Sequence, residues 1–235
     1  MIPLKRSLSS SVGKKFVMGL SGIALVFFAI THLAGNLTLL DPSGKAFNLY
    51  AKSLHDFGYL AIAGEFALLG LFLVHIVYAV LVTRDNKAAR KEAYASSTPS
   101  KGGHSKSSVG SRNMIITGVL LLAFLILHVK QFRFGPSIDM GYTTDVNGES
   151  ARDLYRLVAE TFSDPLNVGI YVIAMAFLWF HLRHGFWSAY QSLGVLYPRI
   201  SGPIYCFAWV MATLLAVGFL LLPIYLYVLQ QGGNS

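Results

Sequence analysis

The sequence predicts an all-α integral membrane protein, a bundle of five transmembrane helices that forms one membrane domain over residues 1–235. Hydrophobic residues occupy 54% of the 235 positions, and the mean hydropathy is +0.54. This is too apolar for a soluble domain of such a size. Five runs with almost no charge are each long enough for a bilayer core, which needs about 20 residues. We place the spans at residues 16–40, 57–83, 113–134, 165–191 and 203–229.

The charges between the spans predict how the helices cross the membrane. The net charge of the chain is +8, and the basic residues concentrate in the N-terminus and in residues 84–112. The polar loop at 41–56 and the segment 130–165 are neutral or acidic. Because basic loops stay in the cytoplasm, we expect a cytoplasmic N-terminus and an external C-terminus. Residues 92–112, rich in Ser and Gly, are predicted to be a flexible cytoplasmic linker.

The outer loop, residues 135–164, is predicted to carry a short amphipathic helix at the membrane surface. Its stretch SARDLYRLVAETF places apolar residues on one helical stripe. The triplet Ser163-Asp164-Pro165 is typical of a helix start, with a cap residue followed by proline. Cys206 is the only cysteine, which excludes an intrachain disulfide and a cysteine-based zinc or iron–sulfur site.

Four of the predicted spans each contain a deep histidine, and their depths match in pairs. His32 and His128 lie about 16 and 15 residues after the cytoplasmic starts of their spans, which places both roughly 23 Å from the cytoplasmic side. His75 and His184 each lie about 18 residues after the outer start of their spans, which places them near the cytoplasmic side. The two levels differ by roughly 10–15 Å along the helical rise. Ionisable groups are costly in a bilayer, so such residues point to function.

Two depth-matched histidine pairs predict two b-type haems, because a low-spin haem iron takes an imidazole on each face. Small residues are expected where a flat macrocycle meets a helix: Ser21, Gly22 and Gly35 near His32, and Gly118 near His128. A single histidine of this kind could equally form a hydrogen bond between helices. A metal transporter would place its histidines at one level beside carboxylates, and only Glu65 is available here.

The remaining histidines are weaker candidates. His181 lies one turn from His184 and could replace it as a ligand, but the depth count favours His184. His55 is expected at the outer mouth, next to Asp56. His104 lies in the linker, where solvation is the simplest interpretation.

The motifs around these histidines resemble a known family. They are THLAGN, LVHIVYA, LILHVKQF, YRLVAETF and HLRHGFWSAYQSLG, of which the last is the most specific. Together they resemble the single-chain, dihaem cytochrome b subunit of bacterial succinate dehydrogenase and fumarate reductase. The resemblance covers nearly the whole chain apart from the tails and the linker. It implies that His32 and His128 bind a distal haem, and that His75 and His184 bind a proximal one.

The resemblance also implies partners and a location. A flavoprotein subunit with FAD and a subunit with iron–sulfur clusters would dock on the cytoplasmic face of a bacterial cytoplasmic membrane. A quinone, usually menaquinone in that family, would be the substrate in the membrane. Some fumarate reductases of the family carry a glutamate two positions before the last haem histidine, where this chain has Leu182. Succinate oxidation is therefore favoured over fumarate reduction.

Further site residues are predicted on the outer side. Arg156 matches a family arginine at the distal haem propionates, although a solvated helix face would explain it as well. Glu65 lies about eight residues inside its span, where an unpaired carboxylate would be largely protonated and could exchange protons with a quinone. The other candidates for the quinone site are Asn36, His55 and Tyr59. Two alternatives remain open: a haem-free transporter or scaffold, and the cytochrome b of another quinone-linked dehydrogenase or hydrogenase.

Overall fold

The structure, a computed structural model, describes residues 9–88, 114–195 and 197–232. Its α-helices are α1 Ser11–Asn36, α2 Lys45–Asp56, α3 Tyr59–Ala88, α4 Met114–Phe132, α5 Leu154–Thr161, α6 Pro165–Ser192 and α7 Ser201–Gly232. Two 3₁₀ turns lie at Leu37–Leu40 and Ile138–Met140, and two strands, β1 and β2, at Thr143–Val146 and Glu149–Arg152. The predicted linker at 92–112 lies outside the described residues.

Five of these helices are long and apolar enough to cross a membrane, which confirms the predicted fold class. They are α1 with its 3₁₀ turn, α3, α4, α6 and α7. The chain is therefore a multi-pass helical membrane protein. The start of α1 lies beside the end of α3, where Lys14 Nζ is 2.8 Å from Asp85 Oδ2. This ion pair holds two helix ends at the same end of the bundle.

Four helices surround the interior that contains the histidines. α1 packs against α3 and α6, and α6 packs against α4, while α3 and α4 meet over a shorter contact. α7 lies outside this group against α6 and α1. The contact between α6 and α7 buries small and branched side chains, among them Ala208, Ala212 and Leu215. α1, α3, α4 and α6 are thus the corners of a four-helix arrangement.

The segment predicted as a polar loop at 41–56 is largely a helix, so that part of the prediction was wrong. α2 begins after Gly44, whose φ of 71° suits glycine, and the ring of Tyr155 closes over it. The Asn48 amide donates to Asp153 Oδ1 at 2.8 Å and its oxygen accepts from the Tyr155 amide at 2.9 Å. These long-range bonds make a short polar segment helical by fastening it to the segment 135–164.

The segment 135–164 contains the predicted helix and also a hairpin that was not predicted. β1 and β2 pair antiparallel around Asn147 and Gly148, which both have positive φ. α5 is amphipathic as expected, but its buried face packs on the end of the bundle, in a cluster that includes Leu39, Phe162 and Leu226. At the start of α6, Asp164 Oδ1 accepts from the Leu166 amide at 2.9 Å and Pro165 occupies the first turn, as predicted.

Candidate functional site

His32 and His128 face each other across the interior, as the depth count predicts. His32 belongs to α1 and His128 to α4, and their ring centroids are 5.9 Å apart with the planes at 89°. Phe28 stacks on His32 at 5.3 Å, and Phe219 of α7 lies 5.7 Å from the same ring. The pair is thus enclosed by aromatic side chains.

The second pair joins His75 of α3 to His181 of α6, with ring centroids 6.5 Å apart and planes at 70°. The depth count paired His75 with His184, whereas the ring that faces His75 in the structure is that of His181, and which of the two would be a haem ligand stays a prediction. The reason for the difference is the true start of each helix, which is Tyr59 for α3 and Pro165 for α6. His75 and His181 lie equally far along their helices from these starts, whereas His184 lies almost one turn further along α6.

Each pair connects two helices that lie diagonally across the four-helix arrangement. The histidines of α1 and α4 meet on one diagonal, and those of α3 and α6 on the other. The helices along each side of the arrangement are the ones that pack against each other directly. The interior is therefore bridged in two directions by imidazole pairs.

The two pairs lie at two levels, and three helices give nearly the same separation. On α1, Ser21 contacts His75 and lies about three turns before His32. On α4, Thr117 contacts His181 and lies about three turns before His128. On the third helix, α6, Tyr171 contacts His128 and lies about three turns before His181, which faces His75. With a helical pitch of about 5.4 Å, the levels are about 15–16 Å apart, close to the predicted spacing.

Two hydroxyl groups determine which nitrogen of the second pair carries hydrogen. Ser21 Oγ donates to the Met18 carbonyl oxygen at 3.0 Å and lies 3.2 Å from His75 Nδ1. Thr117 Oγ1 donates to the Met114 carbonyl oxygen and lies 3.1 Å from His181 Nδ1. With that hydrogen given to the carbonyl oxygen, each hydroxyl can accept from the imidazole Nδ1–H. The Nε2 lone pair of both histidines is then free to bind a metal.

The spacing of both pairs fits an iron bound between two imidazoles. The ring centroids are 5.9 Å and 6.5 Å apart, so His32 with His128 and His75 with His181 are the residues that would hold it. The small residues also lie at histidines, although not at the predicted ones. A Cβ on Gly22 would be 3.2 Å from the His75 ring, and one on Gly118 would be 3.5 Å from His181. Gly35 instead packs against Tyr50.

Two residues whose hydroxyl groups lie beside histidines were not predicted, Thr117 and Tyr171, and Ser21 was expected only as a small residue near His32. Tyr171 Oη lies 3.2 Å from His128 Nδ1, and the side chain is buried. A sequence signal for Tyr171 does exist. Asp164, Asn167 and Tyr171 follow at intervals of three and four, so their polar groups share one face of α6.

Glu65 is paired with Arg133, which follows α4. Arg133 Nε lies 3.0 Å and 3.1 Å from the two carboxylate oxygens, and both side chains are about half exposed. The sequence-based expectation concerned an unpaired carboxylate, whereas Glu65 is paired in the structure. Glu65 also lines a groove of about 410 Å³ with Phe28, Gly64, Ala67, Leu68 and Leu71. Phe28 connects this groove to the His32 ring.

The other predicted quinone residues do not line this groove. The Asn36 amide donates to the His32 carbonyl oxygen at 2.8 Å and lies 3.4 Å from the imidazole nitrogens. His55 lies exposed near the end of α2, and Tyr59 is 90% exposed at the start of α3. Of the four predicted residues, Asn36 lies at a histidine pair and Glu65 in the groove.

Arg156 has partners within the outer segment. Its Nε is 2.7 Å from Glu160 Oε1, and its guanidinium lies 4.6 Å from the centroid of the Tyr142 ring. Hydrogen bonds from Tyr142 and from Arg156 lower the pKa of Glu160 below its ordinary value. The role of Arg156 at a haem propionate stays a prediction. Its contacts with Glu160 and Tyr142 explain the position of the side chain without a propionate.

The fold and the site together define a multi-pass helical membrane protein with two imidazole pairs in its interior. Within the described residues, no three or more His, Cys, Asp or Glu side chains are grouped to hold a metal ion. A haem iron takes only two ligands from the protein, since the porphyrin supplies the other four. No protein-family model, no curated protein and no solved structure matches the chain.

Proposed function

We propose that the protein is the cytochrome b subunit of a succinate:quinone oxidoreductase in a bacterial cytoplasmic membrane. In this proposal it holds two b haems, one between His32 and His128 and one between His75 and His181. It anchors a flavoprotein subunit and an iron–sulfur subunit on the cytoplasmic face and delivers electrons to a quinone, with menaquinone as the first to test. The chain would not act on succinate alone.

The observation that carries the proposal is the pair of diagonal imidazole bridges. Their centroid separations of 5.9 Å and 6.5 Å match two ligands of one iron, and they recur at two levels. Ordinary hydrogen bonding between helices would explain one such contact. It gives no reason for a second pair on the other diagonal with a similar spacing.

Bound haem b would supply reversible one-electron chemistry at each level, and the chain's own residues prepare the two places for it. Ser21 and Thr117 orient His75 and His181 with Nε2 free. Gly22 and Gly118 leave space beside those rings, and Phe28 and Phe219 keep water from the His32 ring. Neutral imidazoles held in this way are the ligands of low-spin b haems.

The groove beside Phe28 is the proposed quinone site. Its lining is apolar except for Glu65, which suits a quinone ring and tail with one group able to exchange protons. Contact of Phe28 with His32 associates the groove with the outer, distal pair. His55, Asn36 and Tyr59 remain secondary candidates for this role.

The function is tested by the visible spectrum and haem content of the complex purified through a tag on this chain. We expect two b haems per chain, with sharp reduced alpha bands, and oxidation of succinate with an artificial dye. A complex without haem would favour the haem-free transporter or scaffold. Two haems without succinate oxidation would favour the cytochrome b of another quinone-linked dehydrogenase or a hydrogenase.

The orientation can be tested with single cysteines in a Cys206→Ser background. A cysteine at Ser107, which lies outside the described residues, should resist impermeant thiol reagents in intact cells because the 84–112 segment is basic. A cysteine at the exposed Ser150 of β2 is the matched position on the other side and should label readily. The reverse pattern would contradict the proposed orientation.

A further inference from the structure

A row of four hydrogen bonds leads from His128 to the end of the bundle. His128 Nδ1 lies 3.2 Å from Tyr171 Oη, which donates to Gln131 Oε1 at 2.8 Å. Gln131 Nε2 donates to Asn167 Oδ1 at 2.9 Å, and Asn167 Nδ2 donates to Asp164 Oδ2 at 3.1 Å. Tyr171 is buried, and Asp164 is exposed at the start of α6. We call these residues, without His128, the Asp164 chain.

The direction of the whole row follows from its last member. An ionised carboxylate can only accept, so the Asn167 amide nitrogen must face Asp164 and its oxygen must face Gln131. Gln131 therefore donates with its nitrogen and accepts from Tyr171 with its oxygen. The single Tyr171 hydrogen is then used, so Tyr171 must accept from Nδ1–H of His128. All four bonds point the same way, and Nε2 of His128 is left with its lone pair.

We propose that the Asp164 chain is a positioning device that sets the tautomer of His128 and lowers the reduction potential of the distal haem. This inference depends on the proposed function, since it concerns a haem held by His32 and His128. Hydrogen bonds aligned toward an anion reinforce one another and strengthen donation from Nδ1–H. A more basic imidazole stabilises the ferric form, so the potential falls.

The hydrogen bonds at His75 and His181 end on groups of another kind than those at His128. The two levels therefore differ in the acceptor that terminates their hydrogen bonds. The hydroxyls of Ser21 and Thr117 pass their hydrogens to carbonyl oxygens of their own helices, Met18 and Met114. These acceptors are neutral and local. The Asp164 chain instead ends at a carboxylate on the outer end of α6. The inference therefore predicts different potentials for chemically identical haems with identical ligands.

The test is a redox titration of the purified complex carrying Tyr171→Phe. Phenylalanine keeps the ring packing and removes the hydroxyl that joins His128 to the chain. We expect both haems to remain, with one potential shifted upward and the other unchanged. Tyr190→Phe, on the same helix within the cluster around Phe186, is the matched control and should move neither potential. Unchanged potentials in Tyr171→Phe with two haems present would overturn the inference.

A second variant distinguishes the effect of the Asp164 chain on the potential from the effect of surface charge alone. Asp164→Asn keeps a good helix cap and removes the anion, so it should raise the same potential by a smaller amount. Asp139→Asn removes a charge from the same outer loop without touching the chain. An equal shift in both variants would mean that the field of the loop acts and not the hydrogen bonds. Absence of haem in the unaltered complex would instead refute the proposed function itself.

Discussion

Replacing His181 by alanine should remove one of the two haems, while replacing His184 should leave both in place. His181 faces His75 at 6.5 Å between ring centroids and is oriented by Thr117. His184 is half-buried one turn further along α6. Loss of an axial imidazole leaves the iron without one of its two protein ligands, so we expect haem content to fall from two per chain to one.

The pairing itself can be tested by comparing the haem that each alanine variant retains. His75→Ala and His181→Ala should leave the same single haem, with the same spectrum and potential. His32→Ala and His128→Ala should both leave the other one. Two haems in His181→Ala together with one in His184→Ala would restore the sequence-based assignment and contradict the geometry. His104→Ala in the linker is a control that should retain both haems.

Glu65→Gln should preserve haem content and dye-linked succinate oxidation but abolish most quinone reduction. The substitution keeps the shape of the side chain and removes a carboxylate that could accept and donate a proton. Loss of a positioned acid–base group typically costs about 10²–10⁴-fold in rate, so the decrease should exceed tenfold. The measurement is the ratio of quinone-linked to dye-linked succinate oxidation in the same preparation.

Arg133 provides the control for this experiment, because Glu65→Gln also breaks an ion pair. Arg133→Gln breaks the same pair and leaves the carboxylate in the groove. If Glu65 exchanges protons with quinone, Arg133→Gln should retain much more quinone reduction than Glu65→Gln. Similar losses in both variants would assign the effect to the ion pair. Full quinone reduction in Glu65→Gln would eliminate the residue and make His55 the next to test.

The five spans were predictable because hydrophobic length depends only on local composition. The start of α6 was predictable for a similar reason, since Asp164 and Pro165 act within one turn. α2 was not, because Asn48 gains its partners, Asp153 and Tyr155, from a distant part of the chain. The hairpin turn at Asn147-Gly148 has a local sequence signal, because Asn-Gly favours the positive φ angles of a tight hairpin turn.

The site was predicted to the level of helices and depths but not to the last helical turn. His32 and His128 meet as expected. The count for His75 began at residue 57, before the true start of α3, and His181 and His184 are less than one turn apart, so a small error changed the partner. The ion pair between Glu65 and Arg133 joins α3 to the segment that follows α4, and no local pattern reveals it.

The two diagonal bridges have a consequence for the survival of the chain in the cell. α3 and α4 meet over a short contact, so ligation across the diagonals would hold together helices that otherwise pack weakly. A ligand that binds only the folded state stabilises it by about 4 kcal/mol at a thousandfold excess over its Kd. If the proposed function holds, cells short of haem should therefore degrade this protein rather than store it, and its amount in the membrane should follow haem supply.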